Sequence, residues 1–307
     1  MRVLVVGAGA VGGYFGGRLL QAGCDVTFLV RPRRAAQLAA NGFVIRSSAL
    51  QFEIPNVRAI LSEQIEATFD LVLLSCKAYD LPGAMADFAR AVGPHTTILP
   101  VLNGMHHIDL LAEQFNAARV IGGLCAISAA LDRQGHVELL GRTPSLVFGE
   151  LDGSRSTRVD AIAAWMQGAA FDVRVSDTIV LDMWEKWVLL ATLAGMTCLM
   201  RATVGDIVAA GGSELTERLL EECQRIAISQ GQELRPENLA RTRSTLTQAG
   251  STFTASMLRD LEGGAATEVE HVLGDLMRRQ PDNAASDYSL LRIAYVHLKA
   301  YEARRAR

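Results

Sequence analysis

Short, uninterrupted apolar runs alternate with helical patterns through the first half of the chain. Arg2–Val6 is β-branched, apolar on both faces and too short for a helix, which predicts a strand buried in a parallel sheet. A helical pattern follows from about Val11 to Ala22, then a second strand at 24–30 (CDVTFLV). Residues 43–60 alternate in places and contain turn residues, predicting one or two short strands. Further buried strands are predicted at 70–75 (DLVLLS) and 97–102 (TILPVL), with a helix between them that Pro82 enters and that runs to about Val92. Strand character recurs at 120–130, 137–148 and 171–175, with an amphipathic helix at 155–168.

After Asp177 the pattern changes to long helices. The uncharged run Trp187–Met200 predicts a helix buried on all sides. Over 213–229, Leu215, Leu219, Cys223 and Ile226 form one apolar stripe, and 256–261 is a further helix broken by Gly263 and Gly264. Thr267-Glu268-Val269-Glu270 has the form of a capping box opening the next helix, and 286–307 is helical with a basic end. The pattern therefore predicts an α/β domain over 1–177 and an all-helical domain over 178–307, without a flexible linker or repeat.

Composition narrows the function classes. A chain of 307 residues exceeds one usual domain, and half its residues are hydrophobic, enough for two cores. The formal net charge of −3 gives no basic footprint for nucleic acid. Cys24, Cys76, Cys125, Cys198 and Cys223 are scattered without C-x-x-C spacing, which suggests free thiols rather than disulfides or a metal site. No signal peptide precedes the first strand, and the uncharged run from Trp187 is short of the ~20 residues a bilayer requires. The expectation is a cytoplasmic protein with no membrane, nucleic-acid or metal partner; apolar helical surface in the second half permits a homodimer.

The chemistry begins where the first strand ends. Gly7-Ala8-Gly9-Ala10-Val11-Gly12 reads G-x-G-x-x-G between a strand and a helix. In that setting the first glycine permits the turn, the second admits a pyrophosphate to the backbone, and the third packs helix on sheet. Helix N–H groups then face the phosphates. Beyond the second strand stand Arg31, Pro32, Arg33 and Arg34 with no carboxylate nearby, which favours the 2′-phosphate of NADP(H) over the ribose hydroxyl of NAD. Arg33 and Arg34 also suit a solvated basic loop. Lys77 follows another sheet strand at the edge where such sheets bind ligands, or is an ordinary exposed lysine. Asn103-Gly104 is a turn signal at a similar edge, and His106 and His107 read as surface or loop residues. Lys186 leads the buried helix, where its ammonium either snorkels to water or turns inward as a proton donor. Glu268 is half explained by the capping box and the helix dipole.

Taken together, these motifs resemble the ketopantoate reductase (2-dehydropantoate 2-reductase) family over nearly the whole chain. The likeness rests on GAGAVGGYFGGRL, Arg31, SCKAYD at 75–80, LNGM at 102–105, WEKW around Lys186, and SMLRDLEGGAATEVE at 256–270. It implies a Rossmann-type NADP-binding domain, a helical catalytic domain, and a 2-keto acid bound in the cleft between them. It further implies that Gly7 to Gly12 hold the pyrophosphate, Arg31 and Lys77 the 2′-phosphate, and that Asn103 lies near the nicotinamide ribose and substrate. Lys186 would be the general acid, Ser256 a substrate contact, and Glu268 a partner of cofactor or lysine. The chain departs from the family at Leu190, Ala194 and Phe253, where polar residues are usual, and at Leu273-Gly274, where Asn-Gly is usual. The implied reaction is NADPH-dependent reduction of ketopantoate to (R)-pantoate for pantothenate biosynthesis. The departures leave open a more apolar carbonyl substrate, and a non-catalytic NADPH-binding or sensing protein stands as a third reading.

Overall fold

The opening apolar run forms β1 (Arg2–Val6), the central strand of a five-stranded parallel sheet. Residues 1–47, 51–141, 144–281 and 288–307 are described by a computed structural model, and they divide into two units: 1–102 with 107–180, and 103–106 with 181–307. In the first unit α1 (Ala10–Gln21), β2 (Asp25–Leu29), α2 (Pro32–Asn41), β3 (Phe43–Arg46), β4 (Gln51–Ile54), β5 (Ala59–Ile60) and β6 (Phe69–Leu74) follow. Next come α3 (Leu81–Phe88), β7 (Val92–Pro100) and α4 (His106–Phe115). The unit closes with β8 (Gly122–Ala126), β9 (Ala129–Leu131), β10 (Val137–Leu139), β11 (Ser145–Gly149), α5 (Thr157–Trp165) and β12 (Asp172–Val175).

The main sheet runs β5-β2-β1-β6-β7, so β1 has β2 on one side and β6 on the other. The chain thus winds outward from β1 in both directions, which makes the carboxyl end of β1 a topological switch point. Two smaller sheets, β4-β3-β10-β9 and β12-β11-β8, complete the unit. Helix α1 lies close on these strands because its inner face is glycine: a Cβ on Gly16 would stand 2.6 Å from the Phe28 ring, and one on Gly13 2.8 Å from Phe43. Phe28 and Phe43 stack at 5.6 Å beneath it, and Phe15 meets Phe171 edge-on at 4.9 Å. Each such fully buried side chain stabilises the unit by about 1.5–3 kcal/mol.

In the second unit, α6 (Ile179–Met200) is the long helix that the uncharged run predicts. Met183, Trp184, Trp187, Val188, Ala191, Leu193 and Met196 are all buried, and the Thr192 and Thr197 hydroxyls satisfy themselves on the carbonyls of Val188 and Leu193. Around it stand α7 (Val204–Ala209), α8 (Ser213–Ser229), α9 (Pro236–Leu246), α10 (Ser256–Glu262), a π-helical turn Glu270–Gly274 leading into α11 (Asp275–Arg278), and α12 (Leu290–Arg305). Among the described residues no helix is long and apolar enough to cross a membrane.

Two local expectations are corrected. His106 and His107 open α4, and His107 is fully buried rather than on the surface. The capping box at Thr267 does not form with Glu270. Glu302 of α12 accepts from both the Thr267 backbone N–H (2.6 Å) and its hydroxyl (2.7 Å), while Glu270 turns to Lys299 and Tyr295. Residues 48–50, 142–143 and 286–287, parts of three predicted elements, lie outside the described residues.

Candidate active site

At the carboxyl end of β1 the glycine turn divides into parts with different jobs. Gly7 has φ +94°, a conformation that favours glycine. The Ser75 hydroxyl, at the end of neighbouring β6, donates to the carbonyls of Val6 (3.0 Å) and Gly7 (3.2 Å) and fixes the turn. Gly12 is required by packing, since a Cβ there would lie 2.0 Å from Ser75 Oγ and 2.2 Å from the Gly7 oxygen. Gly9 is the reverse case: its φ is −79° and a Cβ would meet nothing within 4 Å. No side chain caps α1 at Gly9, and no acid stands in its first turn. The first N–H groups of α1, left without a capping side chain, therefore make a positive helix end beside the open space at Gly9.

The basic stretch beyond β2 splits three ways. Arg31 stands at the N-terminal end of α2 without a capping side-chain bond and pairs with Asp80 Oδ1 at 2.7 Å; that hydrogen bond, then the charge of Asp80, push the guanidinium pKa upward. Arg33 is exposed, but in the first turn of α2 rather than in a loop. Arg34 turns back beneath the glycine turn, where its Nε donates to the Ala8 carbonyl (2.9 Å) and one terminal nitrogen to Gln37 (2.7 Å). Burial pulls its pKa down, and its other terminal nitrogen is buried without a protein partner. Lys77 is half-buried just past β6, on the same short turn as Asp80, whose N–H donates to the Lys77 carbonyl at 2.9 Å. An open glycine, an uncapped helix start, an orphaned buried donor and the cations past β2 and β6 fit a dinucleotide's phosphates. Ser75 and Asp80 were not singled out from the sequence beyond their place in SCKAYD, and Arg34 stood there only as one of the cations past β2, not as a support of the glycine turn.

In the helical unit, Lys186 is half-buried on α6 while its neighbours Asp182–Glu185, Trp187 and Val188 are buried. Arg235 takes both adjacent acids, reaching Asp182 and Glu185 with its guanidinium and Glu185 Oε1 again with its backbone N–H (2.9 Å). Trp187 donates its indole N–H to the Val272 carbonyl (2.8 Å), tying α6 to the π-helical turn. Within that turn His271 is buried; a Cβ on Gly104 (φ +81°) would lie 2.9 Å from its carbonyl oxygen. Burial holds the His271 pKa below the ordinary 6.5, against the charges of Glu268 and Asp275 and a hydrogen bond to the Asn103 backbone. Asn103 and buried Glu268 are thus assembled around a histidine that no sequence motif marked. Ser256 opens α10 at an exposed position, Leu190 is half-buried one turn beyond Lys186, Ala194 is buried and Phe253 is exposed.

Comparison with known proteins identifies the scaffold. Residues 3–153 match the family model described as ketopantoate reductase PanE/ApbA, and 178–302 match its C-terminal counterpart. The chain belongs to the ketopantoate reductase family. It is therefore an oxidoreductase of the 2-dehydropantoate 2-reductase type, and members of this family work with a nicotinamide dinucleotide. The chain is 35% identical to the uncharacterized oxidoreductase YkpB of Bacillus subtilis over 99% of both chains. It is 30% identical to the 2-dehydropantoate 2-reductase of Mesorhizobium japonicum over 88% of each. The crystal structure of 2-dehydropantoate 2-reductase from Geobacter metallireducens superposes with a TM-score of 0.88 at 26% identity, covering 98% of this chain and 99% of that one. D-mandelate dehydrogenase with NADH and anilino(oxo)acetate has the same fold at 20% identity, with a TM-score of 0.89 and full coverage of both chains.

Proposed function

We propose that this chain uses NADPH to reduce a 2-keto acid to its 2-hydroxy acid, converting 2-dehydropantoate to (R)-pantoate for pantothenate synthesis. The observation that carries the reading is the pairing around Lys186. Both carboxylates beside it on α6 are taken by Arg235, and among the described residues the lysine pairs with no acid. Its ammonium remains available to a substrate oxygen, in a chain whose full length matches this family.

The bound coenzyme supplies the hydride that adds to C2 of the keto acid. Negative charge then grows on the carbonyl oxygen, where Lys186 Nζ donates a hydrogen bond and delivers the proton that completes the hydroxyl. The Gly7–Gly12 turn and the start of α1 hold the pyrophosphate, and Arg34 keeps the turn in shape through the Ala8 carbonyl. Arg31 and Lys77 receive the 2′-phosphate. Asn103 positions the substrate and nicotinamide ribose, Ser256 contacts the substrate, and Glu268 partners the coenzyme or the lysine.

Leu190 supports a second reading. It shares the face of Lys186 one turn on, so the surface beside the proton donor is apolar there. That suits a bulkier, less polar 2-keto acid, and the D-mandelate dehydrogenase of this fold binds anilino(oxo)acetate. Coenzyme oxidation by the purified protein, with 2-dehydropantoate and with aryl- and alkyl-substituted 2-keto acids, separates the readings. Lys186→Ala is expected to lower kcat by about 10²- to 10⁴-fold on the true substrate. Full turnover in that variant would remove Lys186 as the donor. Turnover of apolar keto acids alone would select the second reading, and tight NADPH binding with no carbonyl reduced would make the chain a sensor.

A further inference from the structure

Asp80 lies 49 residues from Arg31, and the fold brings the two to 2.7 Å at the carboxyl ends of the strands flanking β1. The Arg31 side chain is 69% exposed and that of Asp80 32%, so both remain open to a ligand. Lys77 begins the turn that Asp80 ends. The end of the sheet where a coenzyme's adenosine ribose is read therefore carries two cations and one carboxylate, although the sequence around Arg31 shows only cations.

We infer that Asp80 sets the balance between NADPH and NADH. The inference rests on the proposed coenzyme site and adds a discriminating residue to it. A guanidinium suits a 2′-phosphate, whereas a carboxylate accepts from a free 2′-hydroxyl. Here one of each is held in contact. A 2′-phosphate must compete with Asp80 for the guanidinium and meets a like charge beside it. A 2′-hydroxyl meets a carboxylate already oriented by Arg31. The pair therefore blunts the preference for NADPH that Arg31 alone would impose and narrows the native chain's discrimination against NADH.

The two effects have opposite signs for the two coenzymes, which makes them measurable. Exposed ion pairs and single like-charge contacts each change an equilibrium by up to about fivefold. Asp80→Asn keeps the shape and one acceptor but removes the charge. It is expected to lower the NADPH KM roughly three- to tenfold, from the two contacts together, and to raise the NADH KM about two- to fivefold, from one. The ratio of kcat/KM values then moves toward NADPH by roughly six- to fiftyfold, with kcat little changed, and the shift shrinks as salt screens the charges. Steady-state kinetics with both coenzymes on the native chain, Asp80→Asn and Arg31→Ala reads this directly. If Arg31→Ala weakens NADPH while Asp80→Asn leaves the ratio unchanged, Asp80 is only a surface partner and the inference fails with the site intact. If Arg31→Ala leaves NADPH binding unaltered, the 2′-phosphate assignment falls, and the role of Asp80 with it.

Discussion

His271 shows how a single residue can organise a site without announcing itself. Its backbone carbonyl lies where Gly104 must lack a side chain, it is hydrogen-bonded to the Asn103 backbone, and Glu268 and Asp275 bear on its charge. Burial is the largest influence and keeps its pKa below 6.5, so the ring is stored neutral. In the unfolded chain it binds a proton near pH 6.5. Between the folded and unfolded pKa values the unfolded state holds more protons, so stability rises with pH across that window. The contribution is complete above about pH 6.5 and is lost as pH falls through the folded value. Thermal midpoints followed from pH 8 to 5 should fall more steeply below about pH 6.5 in the native chain than in His271→Asn. Parallel curves would contradict this account. The glycine turn and the buried helix that carries Lys186 were legible because each is recognised within its own segment. His271, Asp80 and the inward turn of Arg34 were not, because each acquires its role from a partner that only the fold brings near: Asn103, Arg31 and the Ala8 carbonyl.

Among the elements, α12 acts as a strap over an irregular segment. Arg305 Nε reaches the Gly264 carbonyl (3.0 Å), and the Tyr301 hydroxyl donates to that of Ala265 (2.8 Å). Glu302 receives both donors of Thr267, and Tyr295 and Lys299 hold Glu270. These bonds flank Glu268, whose placement depends on a stretch with no ladder of its own until the π-helical turn. Thr267 is buried, so Glu302→Ala leaves two donors unmet and should cost about 1–3 kcal/mol for each. Glu302→Gln retains the accepting oxygen and should recover most of that loss. Denaturant unfolding of the two variants is the check, and an alanine variant as stable as the native chain would show that the strap carries no load. Sequence periodicity found the helices because their apolar stripes are local. It misread the start of this one because the true acceptor for Thr267 lies 35 residues away on another helix. For the same reason the small β4-β3-β10-β9 sheet was visible only as strand-like stretches, its pairing being set by distant segments.

At the scale of the molecule, the change from strand-rich to helical patterning near residue 177 made two kinds of architecture readable from the sequence. The Asn103–His106 turn, in contrast, groups with the helical unit, because Gly104 packs on His271. Whole-chain stability also offers the cleanest test of the glycine turn, because ligand binding and folding are linked. A coenzyme at a hundred times its Kd stabilises the native state by about 2.7 kcal/mol, which appears as a rise in Tm. Gly9 and Gly12 should respond oppositely. At Gly9 the backbone is extended and a methyl group meets nothing, so Gly9→Ala should leave the ligand-free Tm unchanged or raise it by the equivalent of about 0.4–1 kcal/mol. The methyl group would nevertheless stand where a pyrophosphate needs the bare backbone, so most of the NADPH-induced rise should vanish. At Gly12 a methyl group meets Ser75 and the Gly7 carbonyl at close to 2 Å, so Gly12→Ala should lose about 1–3 kcal/mol before any coenzyme is added. Thermal unfolding of both variants with and without NADPH separates a glycine kept for the fold from one kept for the ligand. A Gly9→Ala chain that retains the full rise would show that the coenzyme is held elsewhere, however well the motif reads.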